Sequence, residues 1–275
     1  MSNKFGKLST RVLAALVGIP LIILLTLLGK IWFLLFVIVI AGASFTELTR
    51  MIKHKHNFVN YAVGLISTLA IVINSYSPFV NLEYLMTGIV FVALMAELFR
   101  NRSSAISNLG VTFLSILYIG FFASAIIQIR EFYSDSAFTY FQGGYLIIAL
   151  FGAIWFCDSA AYFIGSAYGK NRLMPRVSPK KSWEGAVAGF VFSIIAMLFA
   201  AEFALDFLTR TDAIIIGIIV GVFGQIGDLV ESLLKRDANV KDSSSMIPGH
   251  GGVLDRFDSL LFSAPLIYLY LRFIN

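Results

Sequence analysis

Charge is what this sequence has least of. Asp, Glu, Lys and Arg together make up 13% of its 275 residues, about half the share found in soluble domains. A soluble fold of this size needs more polar covering than that, so a water-exposed globule is excluded. Cysteine is almost absent as well. The single Cys157 rules out an intrachain disulfide framework, and its place inside an apolar run marks it as a small buried side chain. There is no G-x-x-x-x-G-K-[ST] phosphate loop and no H-E-x-x-H zinc pattern. No repeat of fixed period is present, and no duplication of the two halves that would favour a transporter.

What is abundant is apolar sequence, at 58% of residues with 26 Phe. A helix needs roughly 20 apolar residues to cross the hydrocarbon layer. Segments 12–29, 31–48, 59–77, 84–99, 109–129, 145–165, 185–207, 213–230 and 256–274 come close, the fourth being short. The first two are separated by little more than Gly29-Lys30 and predict a tight helical hairpin. The first follows Lys4, Lys7 and Arg11 but is long and lacks a prompt small-residue cleavage site, which predicts an uncleaved span rather than a signal peptide. The fold class expected is all-α, a polytopic membrane protein with about nine transmembrane helices. Residues 1–108 would hold four spans, and 109–275 a catalytic region of five spans with two polar loops.

Lys and Arg set the orientation. With the N-terminus in the cytoplasm and nine crossings, Lys30, Arg130, Arg210 and Arg272 fall on the far side and the other 17 of the 21 basic residues on the cytoplasmic side. Most loops are short, but two cytoplasmic ones, Gly165–Glu184 and Glu231–Phe257, are long and rich in Gly, Pro, Ser and charge. Each follows a span with an acid toward its cytoplasmic end, Asp158 and Asp228. An ionisable residue within a span is costly unless paired, hydrated or bound to an ion. One such acid could simply fix helix packing; two leading into polar loops on one side point to a site.

In the eighth segment Gly217, Gly221, Gly224, Asp228, Glu231 and Lys235 follow 4-3-4-3-4 spacing and should share one helix face. Its glycines would let a helix or ligand approach closely. In the loop beyond, Pro248-Gly249-His250-Gly251-Gly252 predicts a turn with bare N–H groups suited to an anion, followed by Asp255-Arg256-Phe257-Asp258. Carboxylates suit Mg²⁺, which one or two acids usually hold together with substrate phosphates; Asp228, Asp255 and Asp258 are the candidates. Lys235, Arg236, Lys241 and Arg256 could neutralise phosphates. The combination implies a phosphorylated substrate and a divalent metal. In the first loop Lys180 and Lys181 either rest on anionic lipid, with Trp183 as an interfacial anchor, or grip a triphosphate. His250 reads as a hydrogen-bonding strut or phosphate donor. His54 and His56 read as surface residues, Glu47 as a residue that caps or pairs, and Glu97 as one that snorkels to the interface.

These residues resemble a known family. Ser232-Leu-Leu-Lys235-Arg236, Lys241-Asp242, Pro248-Gly-His250-Gly-Gly252 and Asp255-Arg256-Phe-Asp258 are similar to the signature of the phosphatidate cytidylyltransferases, or CDP-diacylglycerol synthases, over its 27 residues with the internal spacing intact. Asp158-Ser-Ala-Ala-Tyr162-Phe and Ser178-Pro-Lys-Lys-Ser-Trp-Glu-Gly185 resemble the family's second block, with Ser159 where Thr is frequent. The N-terminal half resembles the family in its hydropathy and in Glu47.

The resemblance implies that CTP and phosphatidic acid react to give CDP-diacylglycerol and pyrophosphate, with Mg²⁺ alone or with a second cation. It implies metal binding by Asp228, Asp255, Asp258 and Asp158, and substrate binding by Ser178, Lys180, Lys181, Arg236, Lys241, His250, Gly251 and Gly252. Asp228, Lys235, Asp255 and Arg256 would be catalytic. The partners implied are CTP, phosphatidic acid and membrane lipid, not nucleic acid, with the chain a homodimer in a bacterial inner membrane and its site on the cytoplasmic side. Attack by the phosphatidate phosphate on the α-phosphorus of CTP needs no covalent enzyme intermediate, so positioning and charge stabilisation should dominate. The rivals are a transporter with Asp158 and Asp228 as ion sites, which leaves the long charged loop unexplained, and a CDP-alcohol phosphotransferase, whose aspartate-rich helical motif is missing.

Overall fold

The structure is a computed structural model that describes residues 2–53, 57–134, 139–244, 246 and 251–274, with side chains from residue 15 onward. Among the described residues, helix covers each of the nine apolar segments. The first four are α1 (Ser2–Leu28), α2 (Lys30–Lys53), α3 (Tyr61–Tyr76) and α4 (Leu82–Leu98). The fifth runs through α5 (Ala105–Ser115), a π-helical stretch π1 (Ile116–Phe121) and α6 (Phe122–Arg130). Then come α7 (Tyr140–Tyr168) and α8 (Trp183–Phe203), an eighth run of α9 (Arg210–Ile219), π2 (Val220–Gly224) and α10 (Gln225–Asp237), and finally α11 (Leu254–Ile274). Among the described residues six helices are long and apolar enough to cross a membrane: Lys30–Lys53, Ala105–Arg130, Tyr140–Tyr168, Trp183–Phe203, Arg210–Asp237 and Leu254–Ile274. Large apolar side chains such as Phe91, Ile106, Phe199 and Phe203 stand on the outside, as suits hydrocarbon and not water. The chain is a helical, polytopic membrane protein.

The chain divides into two compact units, Met1–Gln128 with Asp237–Phe257, and Ile129–Arg236 with Asp258–Asn275. The units alternate along the sequence, since the segment after α10 belongs to the first unit; the expected division at residue 108 is one of span order.

In the first unit α2 packs on α3, and α3 on π1. Phe33, Val37, Phe45, Leu48, Ile71 and Ile119 are buried there. Gly29 and Lys30 take φ of 61° and 48°, a left-handed step that separates α1 from α2. Glu97 does not snorkel: it is buried and accepts from Asn108 Nδ2 at 2.8 Å and Arg100 NH1 at 3.1 Å. The turn after α4 brings Arg100 back over it, and a local counter-charge costs less than stretching the side chain to water.

In the second unit α7 packs along α8, and α8 against α9. Ser182 caps α8, its Oγ accepting from Gly185 N at 3.2 Å. Gly185 and Gly189 form a small-xxx-small stripe, the membrane pattern for close helix approach. A Cβ at Gly185 would lie 2.6 Å from Ala161 O, and one at Gly189 2.9 Å from Cys157 O. One turn on, Ser193 Oγ donates to Gly217 O at 2.9 Å, tying α8 to α9. Cys157 is buried as expected.

Two local features depart from the sequence expectation. The polar loop before α8 holds an antiparallel ribbon, β1 (Arg172–Met174) and β2 (Ser178–Ser182), with Arg172 opposite Ser182 and Met174 opposite Ser178. Val177 at its turn is buried, and this apolar anchor fixes an otherwise polar segment. The glycine stripe, in turn, is not one face. A Cβ at Gly217 or Gly221 would meet Ile194, or Ser193 and Phe190, of α8, whereas one at Gly224 or Gly227 would meet Ser259, or Phe262 and Asp258, of α11. The 4-3 count assumes an unbroken α-helix, but π2 inserts a wider turn. One residue of phase is about 100°, so the later residues swing from α8 toward α11.

Candidate active site

The second unit gathers acids at the start of α10. Asp228 and Glu231 are one turn apart on α10, and Asp258 comes from α11; one carboxylate oxygen from each lies within 4.8 Å of the other two. Glu231 and Asp258 are buried and Asp228 is half-buried. Gly227 makes this approach possible, since any Cβ there would press on Asp258 O and the Phe262 side chain. Carboxylates this close repel unless cations stand against them. Two lysines do so. Lys181 Nζ on β2 donates to Asp228 Oδ2 at 2.5 Å, and Lys235, one turn further along α10, is paired with Glu231. Ser232 Oγ donates to Asp228 Oδ1 at 3.3 Å. Asp158 and Lys181 also lie close enough to act on the charge of Asp258.

Within this unit Lys181 of the first polar stretch meets Asp228, which lies just ahead of the second, and Asp158 stands within electrostatic reach of Asp258. Strand alternation separates the two lysines: Lys181 turns to Asp228, while Lys180 is exposed and offers its carbonyl to Arg172 NH1 at 3.3 Å. Ser178 opens β2 opposite Met174. The exposed Arg236 reaches back to the ribbon, with Nε donating to Val177 O at 3.4 Å. Beside the ribbon a groove of about 410 Å³ runs along α8, π2 and α10; Leu173, Met174, Trp183, Val187, Gly221 and Ile226 line it. Trp183 thus flanks an apolar groove.

In the first unit the segment ahead of α11 is organised by two carboxylates. Asp255 Oδ2 accepts from Gly252 N at 2.8 Å, Ser243 N at 3.3 Å and Ser243 Oγ at 3.0 Å. Glu47, from α2, accepts from Ser243 Oγ at 2.9 Å, Ser244 Oγ at 2.5 Å, Val253 N at 2.9 Å and Leu254 N at 2.8 Å. Gly251 has φ of 88°, in the region that favours glycine. A Cβ at Gly252 would lie 2.5 Å from Glu47 Oε2 and overlap Ser243 Oγ. The Gly252 N–H, expected to face an anion, is thus committed to Asp255; glycine is needed there for space. Lys241 and Arg256 are exposed. His250, with Pro248 and Gly249, lies outside the described residues, as do His54 and His56.

The expected ligand set omitted Glu231, although the helix-face reading had aligned it with Asp228. Glu47 was noted for capping or pairing, but no local signal connects residue 47 to residues 243–254. Ser243 lies inside the signature stretch, but its residue type alone did not single it out.

The profile of the Cytidylyltransferase family matches residues 9–274. A phosphatidate cytidylyltransferase of Bacillus subtilis (strain 168) is 33% identical over 274 residues, covering 96% of this chain and 96% of that protein. One from Staphylococcus haemolyticus is 32% identical over 274 residues, covering 96% and 99%. One from Haemophilus influenzae is 38% identical over 158 residues, covering 56% and 54%. Matched across almost its whole length both by the family profile and by relatives of that name, this chain belongs to the cytidylyltransferase family.

Proposed function

We propose that this chain transfers the cytidylyl group of CTP to phosphatidic acid, giving CDP-diacylglycerol and pyrophosphate for phospholipid synthesis. Beyond family membership, the observation that carries this reading is the Lys181–Asp228 pair, which sets a basic ribbon against three clustered acids. An oxygen of the phosphatidate phosphate attacks the α-phosphorus of CTP, and the bond from that phosphorus to the bridging oxygen breaks as pyrophosphate leaves. The nucleophile is already an anion, so no general base is required. What remains is alignment of two anionic substrates and screening of their charge.

The donor set fits a hard divalent ion. Asp228, Glu231 and Asp258 offer three carboxylate oxygens within 4.8 Å of one another, and oxygen ligands are what Mg²⁺ takes. These three would hold it, with Asp158 as a further acid nearby and a second cation as the extended form of the proposal. When bound, Mg²⁺ would neutralise charge on the CTP phosphates. Lys180, Lys181, Lys235, Arg236 and Ser178 are proposed to bind substrate phosphates from the second unit. In the first unit, taken by itself, Lys241, Gly251 and Arg256 are proposed phosphate contacts together with His250, and Asp255 is kept as a proposed metal ligand through its side chain.

The groove beside the ribbon supports a lipid acceptor. It is almost wholly apolar and is lined from the helix that carries Asp228 and the ribbon that carries Lys181. We assign it to an acyl chain. The 17-to-4 basic split supports nine crossings with the N-terminus and the site on the cytoplasmic side. Bacterial relatives support a location in the bacterial cytoplasmic membrane, and the family resemblance supports a homodimer.

The deciding experiment supplies purified chain with labelled CTP, with and without phosphatidic acid, and measures pyrophosphate and labelled lipid. Release of both that depends on lipid and Mg²⁺ is expected. CTP left intact in the presence of phosphatidic acid and Mg²⁺ would overturn the reading.

A further inference from the structure

We infer that Glu47 is a positioning residue: one buried carboxylate on α2 that clamps both ends of the segment Ser243–Leu254 and, through Ser243, sets where Asp255 stands. The kinetic part of this inference rests on the proposed cytidylyl transfer; the structural part does not.

Glu47 is fully buried. Burying a carboxylate is costly unless its oxygens are hydrogen-bonded. Among the described residues its four donors belong to one segment. Ser243 Oγ and Ser244 Oγ come from its start, and Val253 N and Leu254 N from its end. The last two are the N–H group just ahead of α11 and the first one within it, neither of which has a partner in the helix, and the helix dipole favours an anion at that point. Helix caps are normally supplied from within a few residues. This one comes from 207 residues away and binds the other end of the segment as well.

The clamp also reaches a residue of the signature. Ser243 Oγ stands 2.9 Å from Glu47 Oε2 and 3.0 Å from Asp255 Oδ2. It has one proton, so it donates to one carboxylate at a time while holding both in register. Gly252 closes the arrangement, because a side chain there would displace Ser243 and Glu47 together. Glutamine at position 47 keeps the size of the side chain. It replaces one acceptor oxygen with an N–H₂ group aimed at donors, so at least one end of the segment loses its partner.

The test uses the full-length protein in detergent or vesicles. Hydrogen exchange of the peptide covering 243–254 is measured beside kcat and KM for CTP, in wild type, Glu47→Gln and Glu47→Asp. In Glu47→Gln the 243–254 amides should exchange at least tenfold faster while peptides from α3 and α7 exchange as in wild type. kcat should fall at least tenfold, with KM for CTP moving less than threefold. Glu47→Asp, still an all-acceptor carboxylate, should restore part of both. Wild-type exchange in Glu47→Gln would overturn the clamp, and faster exchange with unchanged kcat would overturn its role in positioning. If Glu47→Gln does not yield monodisperse protein, Ser244→Ala decides on the same readouts with a smaller shift in the same direction. If wild-type protein fails to consume CTP, the proposed reaction fails, and the exchange comparison alone judges the clamp.

Discussion

At the residue scale the informative contrast is between the two lysine–carboxylate pairs. Lys181 and Asp228 are each about a third exposed, so water screens the pair, and losing it should cost about 1 kcal/mol of stability or less. Glu231 is only 1% exposed beneath Lys235, and removing the cation over a buried carboxylate costs about 3–5 kcal/mol. Lys181→Ala is therefore the cleaner probe. It should leave the detergent-solubilised melting temperature within a few degrees of wild type and lower CTP turnover at least tenfold. Lys235→Ala should lower both, so its activity has to be read per folded molecule. Equal turnover in Lys181→Ala and wild type would remove the ribbon from the site. The residue types of this site were legible in advance, since acids beside bases in a Gly-rich segment imply phosphate chemistry. Which lysine meets which acid was not, because Lys180 and Lys181 differ only in which face of a strand they occupy, and no strand was expected there.

At the element scale the site depends on how closely helices approach. Gly185 and Gly189 bring α8 onto α7, and α8 begins directly after the ribbon residues that carry Lys181. A Cβ at Gly189 would meet Cys157 O, Cys157 Sγ and Ala161 Cβ at 2.9, 3.0 and 3.2 Å, with backbone among them. Overpacking of this kind costs about 1–3 kcal/mol. Gly189→Val should lower the melting temperature measurably and reduce turnover with it, while the exposed neighbour changed as Val187→Ala should leave the melting temperature unchanged. A Gly189→Val protein as stable and active as wild type would mean that the close approach is not required. The helix-face argument shows where sequence periodicity stops working. It placed Gly217, Gly221 and Gly224 on the face of Asp228 by counting 4-3 steps. The π2 turn changes the phase midway, so the upper glycines pack α8 and the lower ones α11.

At the scale of the whole molecule the open variable is orientation in the membrane. The orientation proposed from the basic residues would put residue 246 in the cytoplasm and residue 206 on the far side. Both Met246 and Asp206 are exposed, and the native Cys157 is buried, which keeps background labelling low. In intact cells a membrane-impermeant maleimide should label Asp206→Cys and leave Met246→Cys untouched until the cells are permeabilised. Labelling in the reverse order would invert the topology and put the charged segments on the wrong side for CTP.

The sequence by itself determined the apolar spans, the polar loops between them and the acids that border those loops. Hydropathy and local composition are properties of neighbouring residues, so they survive without a fold. Only the tertiary structure decided that Glu231 completes the acid cluster, that Lys181 and not Lys180 meets Asp228, and that Glu47 holds a segment 196 residues further along the chain. A buried charge must be matched by partners wherever the packed chain brings them, and that choice is made by contacts distant in sequence.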